Sequence, residues 1–166
     1  MNTPNDHDIH VLNSLIETTI DSADGYREAA RETDKPEFRT LFEARSFERQ
    51  QVASDLQGAV RTLGGDPEDD GTVLAKAHRA FLDVKHALLR DEQAVVNSVE
   101  NGEDFIKGKF EAALDDSAVS ATTRETIRRA WTTVKDGHDQ MRDIKHRLED
   151  EDGTEVELHP DRNLAG

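Results

Sequence analysis

The sequence predicts an all-α protein, an antiparallel four-helix bundle. Apolar residues recur three and four apart in four successive stretches, and no stretch alternates with period two over strand length. Proline, glycine and acidic breaks separate the stretches. A chain of 166 residues suits one domain, with a core of Leu, Val, Ile, Ala and six Phe. The bundle is expected over about residues 8–149, after a flexible 1–7 and before an acidic, disordered tail at 150–166.

The first helix is expected over about 8–33, where Ile9, Leu12, Ile16, Thr19, Ala23, Tyr26 and Ala30 form one stripe. Asp34-Lys35-Pro36-Glu37 reads as the next helix start, with Asp34 as N-cap and Pro36 in the first turn. Phe38, Leu41, Arg45, Glu48, Val52, Leu56, Ala59 and Leu63 carry the second stripe until Gly64-Gly65 caps it. So short a connection makes these helices antiparallel neighbours.

Asp66 to Gly71 reads as an acidic surface loop. Leu74, Ala77, Phe81, Val84 and Leu88 begin a third arm, expected to break near residues 89–91, where Asp91 can cap a new start. Val95, Val99, Glu103, Ile106, Phe110 and Ala113 continue it to about 114. Thr122 with Glu125 offers a capping box for the last helix, about 121–149, whose inner face is Ile127, Trp131, Val134, His138, Met141, Lys145 and Leu148.

Composition excludes several functions. Cysteine is absent, so there is no disulfide framework, thiolate zinc site or thiol nucleophile. No apolar run approaches the roughly 20 residues a bilayer requires, and the polar start Met1-Asn2-Thr3-Pro4 is no signal peptide, so a cytoplasmic protein without a membrane partner is expected. A net charge of −15 disfavours nucleic acid and anionic membranes. No nucleophile elbow, phosphate loop or dinucleotide fingerprint occurs.

Glu103 and His138 break this pattern. Both fall on apolar stripes, where an ionisable group costs several kcal/mol or more unless paired or metal-bound. They mark a polar layer inside the bundle. Counted from a loop centred near Ala118, Glu103 and His138 differ in height by roughly 7 Å at helical rise, so Trp131 or Val134 are rival neighbours for Glu103.

Leu12-Asn13, Asp24-Gly25-Tyr26, Phe42-x-x-Arg45-x-x-Glu48-Arg49, Leu63-Gly64-Gly65-x-Pro67, His78-Arg79 and Glu100-x-Gly102-Glu103-Asp104 together resemble a bacterial family of four-helix-bundle proteins of unknown function in the ferritin-like group. The resemblance spans about residues 8–149. It implies a ferritin-like bundle with a rubrerythrin-like ligand pattern, one Glu on each of two helices and a Glu-x-x-His pair on each of the others. On that pattern Glu48, Glu103 and His138 keep metal-ligand chemistry, whereas Thr19, Gln51 and Lys135 do not. A site so depleted of carboxylates does not suit a di-iron oxidase.

Two readings stay open. In the favoured one, Glu103 and His138 form a hydrogen-bonded core pair that fixes bundle register, with Arg45 as counter-ion to Glu48, in a non-catalytic bundle with an interaction or stress-related role. In the other, Glu48, Glu103 and His138 hold a single iron, zinc or manganese ion, with Glu100 near. His7 and His10 are expected at a frayed terminus, and His78 and His86 at the edge of the third arm's apolar face. A homodimer or larger homo-oligomer is expected, with the 72–88 stripe as its surface.

Overall fold

The computed structural model describes residues 4–71 and 92–157. Four helices account for most of them: α1 (Pro4–Glu32), α2 (Pro36–Thr62), α3 (Glu92–Asp115) and α4 (Ala121–Glu157). No strand occurs among the described residues. The all-α four-helix arrangement is therefore as the periodicity predicts. The expected break near 89–91, the 72–88 stripe, and His78 and His86 lie outside the described residues.

Helix α1 packs against α2 and α3, and α4 packs against the same two, so α2 and α3 stand diagonally across the bundle. Contacts between Tyr26 and Glu103, and between Phe110 and Trp131, fit antiparallel neighbours. Two apolar clusters fill the interior. One gathers Leu12, Leu15, Ile16, Val52, Leu56, Val60, Ile106, Phe110, Ile127 and Val134. The other gathers Tyr26, Ala29, Phe38, Phe42, Val96, Val99, Met141 and Ile144. Arg49, Glu103 and His138 fall between the two clusters along their helices, so they form a polar belt across the middle.

Helix ends depart from the expected caps. Lys35, not Asp34, is the N-cap of α2, and it makes no side-chain cap bond; the Thr33 hydroxyl accepts from the Lys35 N–H instead. Ser120 fills the capping place before α4, its hydroxyl accepting from Thr123 N–H at 3.3 Å, two residues ahead of the expected Thr122 box. Gly64 and Gly65 do end α2. Gly64 has φ +82°, and the N–H groups of Gly65 and Gly64 donate to Val60 and Arg61 carbonyls, a Schellman closure.

Helix α1 starts at Pro4, inside the stretch expected to be flexible, because tertiary contacts seize its first turns. His7 Nε2 lies 2.8 Å from Asp116 Oδ2. Asp8 is buried and accepts from both the backbone N–H and the hydroxyl of Ser120, at 3.0 and 2.6 Å. Helix α4 likewise continues past residue 149 to Glu157. Asn13 clamps the acidic loop by donating to the Asp66 carbonyl and accepting from Glu68 N–H.

Candidate functional site

The belt is built around Arg49, the largest side chain with essentially no exposure. From α2 it crosses the bundle diagonally and donates through Nη2 to Glu103 Oε2 on α3 at 2.7 Å. The same nitrogen reaches the Val134 carbonyl of α4 at 3.3 Å. Tyr26 on α1 donates its hydroxyl to the other Glu103 oxygen at 2.7 Å. All four helices thus meet at one carboxylate–guanidinium pair. Burial first, then the Glu103 carboxylate, pushes the Tyr26 hydroxyl well above its ordinary range, so Tyr26 remains a neutral donor.

Arg45 lies one turn before Arg49 and is also buried. It donates to Glu48 Oε1 at 2.7 Å and to Gln140 of α4. The expected Arg45–Glu48 pairing is present. A Cβ at Gly137 of α4 meets Arg49 Nη2 at 2.7 Å and Arg45 Nη1 at 2.9 Å, so the missing side chain there makes room for both guanidinium groups. The Nε of each of these two arginines and Nη1 of Arg49 are buried without a hydrogen-bond partner among the described residues.

His138 is buried, but its partners are not Glu103. Its Nε2 lies 2.7 Å from Asp104 Oδ1 and its Nδ1 3.3 Å from Asp139 Oδ1. Asp139 is held below the usual carboxylate range by hydrogen bonding from Lys135 first and His138 second. The seam between α3 and α4 runs Phe110 with Trp131, Asp104 with His138 and Glu100 with Lys145. This register puts His138 beside Asp104 and the Val134 carbonyl near Glu103. The expected Glu103–His138 pair is replaced by Arg49–Glu103.

Of the three candidate ligands, only Glu103 and His138 face inward. Glu48 is half-buried at the edge of α2, facing Arg45. The inner face of α2 keeps Phe38, Arg45, Val52 and Leu56 of the expected stripe, but Phe42, Arg49 and Val60 are buried in place of Leu41, Glu48 and Ala59, each one residue further along. Among the described residues no three His, Cys, Asp or Glu side chains are grouped to hold a metal ion. With both Glu103 oxygens engaged and a guanidinium beside them, Glu48, Glu103 and His138 do not fit a metal in this arrangement.

Arg49 is the residue that sequence reasoning missed. Its signal was present, since it stands one turn from Arg45 and one turn from Val52, on the face that buries both. An acidic and a basic residue side by side at Glu48-Arg49 leave the phase of the stripe ambiguous by one position.

A helical bundle pinned by a four-helix polar knot is the class of protein that these features define. The chain belongs to the DUF2383 family, a domain of unknown function, whose model matches residues 7–116. That span includes Tyr26, Arg49 and Glu103 and leaves α4, with His138, outside it. No curated protein matches the chain. No helix among the described residues is long and apolar enough to cross a membrane.

Proposed function

We propose that the protein is a non-catalytic bundle of the ferritin-like type that acts by binding protein surfaces, and that its internal belt serves to hold the helices in one arrangement. The observation that carries this reading is the commitment of both Glu103 oxygens to Arg49 and Tyr26. A permanent cation from the chain itself stands where a metal site would need an open carboxylate. The ferritin-like grouping draws support from topology. Helices α2 and α3 stand on the diagonal and run parallel, each being antiparallel to α1, a departure from simple up-down-up-down order that ferritin-like bundles share.

The binding role draws support from the surface. Phe47 on α2 and Phe105 on α3 are 62% and 54% exposed, unusual for rings of this size. Between α2 and α4 runs a groove of about 520 Å³ floored by Val52 and Leu56. The deciding experiment is elemental analysis of untagged protein after exposure to iron, zinc and manganese, repeated on Glu103→Gln and His138→Ala. No retained metal in the native protein is the expected result. One stoichiometric ion, lost in both folded variants, overturns the non-catalytic reading in favour of a mononuclear metal protein.

A further inference from the structure

We infer that the outer face of α2 is a self-complementary docking surface for a second copy of this chain, a proposal that rests on the protein-binding reading above. Phe47, Gln51, Ser54 and Gly58 follow one another at steps of four, three and four, which puts all four on one stripe of the helix. Phe47 projects into solvent at one end of this stripe. At the other end, Ser54 and Gly58 form part of the wall of the α2–α4 groove, with Val52, Leu56 and Ala130 deeper in it.

A knob and a recess on one stripe are what a two-fold interface needs. They lie seven to eleven residues apart along α2, about 10–16 Å at helical rise. Placing a second α2 antiparallel to the first, with the axis beside Gln51, seats each Phe47 between Ser54 and Gly58 of the other copy. Gly58 is costly inside a helix, and a Cβ built on it meets nothing within 4 Å in its own chain, so intramolecular packing does not call for glycine there. The open space over Gly58 leaves room for a facing aromatic ring.

Charge agrees with this register. Glu43 and Arg61 are both exposed, share a flank of the stripe, and lie nearly equally far on either side of the axis. The antiparallel arrangement therefore brings Glu43 of each copy to Arg61 of the other. On the opposite flank Glu48 and Asp55 approach, but Arg45 already pairs with Glu48, and Arg129 lines the groove with Asp55. Phe105 lies on α3, diagonal to α2, and takes no part.

The absence of cysteine makes the test direct. In the full chain, Gln51→Cys is expected to form a disulfide-linked dimer under mild oxidation, whereas Lys107→Cys on α3 is not. Light scattering over a concentration series is expected to show a dimer whose dissociation constant rises about thirtyfold in Phe47→Asp. Glu43→Arg and Arg61→Glu should each weaken it, and the double charge reversal should restore it. A native protein that stays monomeric throughout the series overturns the proposal. So does a dimer indifferent to Phe47→Asp and not crosslinked through residue 51, an outcome that leaves protein binding standing with its surface elsewhere. Metal analysis decides the broader reading separately.

Discussion

Replacing Glu103 with Gln keeps the side chain's shape and removes its charge, which leaves the Arg49 guanidinium buried without a counter-ion. Breaking a buried pair from one side costs about 3–5 kcal/mol, so urea unfolding should show Glu103→Gln among the most damaging substitutions in the chain. The joint replacement Arg49→Met with Glu103→Leu should recover most of that loss, because two apolar residues need no desolvation. If the double variant is as unstable as the single one, the pair supplies stability rather than helix arrangement. Tyr26→Phe leaves one Glu103 oxygen without its donor, at about 1–3 kcal/mol. Tyr26 is the chain's one tyrosine, so alkaline titration reads it alone. Its folded value is raised above the unfolded value of about 10. Its contribution is therefore complete below that pH and declines as the pH climbs toward the folded value. Phenolate absorbance should appear together with unfolding, and a normal titration in folded protein would place the hydroxyl in solvent.

At the level of helices, the sequence carries the stripes and most of their ends. Helix α2 begins at Pro36, α4 begins at Ala121, and α1, α2 and α3 stop within one residue of the expected positions, whereas the capping residues and the outer ends of α1 and α4 differ. Leu12, Ile16, Thr19, Ala23, Tyr26 and Ala30 are buried as the spacing predicts, because α1 presents one unbroken apolar face. The α4 cap depends on a distant partner: Ser120 accepts from Thr123 N–H while its hydroxyl is held by Asp8, far away in sequence. Nothing local to Asp8 announces that contact. The pairing of Arg49 with Glu103 is hidden for the same reason, since neither helix reveals which residue of the other stands opposite. The Asp8–Ser120 latch has a pH signature. Burial acts to raise the Asp8 pKa, but hydrogen bonds from the Ser120 hydroxyl, the Ser120 N–H and Thr123 together outweigh it and leave it lowered. Asp116 beside it is lowered by the Ala118 N–H and then by His7. A depressed carboxylate stabilises the fold above its unfolded value of about 4, and that contribution is lost as the pH falls through the folded value. Asp8→Asn should therefore be less stable than the native protein at neutral pH and lose less on acidification. Equal acid sensitivity in the two proteins would show that the latch does not hold α1. Gly137→Ala tests the close approach of α4 to the two arginines, with an expected loss of about 1–3 kcal/mol from overpacking.

Charge governs the behaviour of the molecule as a whole. A net −15 on a chain of this size produces self-repulsion that opposes the compact state and is relieved by salt. At about 0.1 M salt the screening length is about 10 Å, short enough to separate most surface carboxylates from one another. Exposed pairs such as Arg128–Glu125 and Lys107–Glu111 are weakened by the same screening, but each contributes only about 0–1 kcal/mol. The internal Arg49–Glu103 pair is sealed from solvent, with side-chain exposures of 0% and 1%, and salt does not reach it. Repulsion among the excess carboxylates is therefore the larger of the two screened effects, and the melting temperature should rise as sodium chloride is added. Measuring the same series on Phe47→Asp removes any contribution from association, and the rise should persist there. A melting temperature that falls with salt in both proteins would mean that surface ion pairs, not repulsion, govern the stability of this bundle.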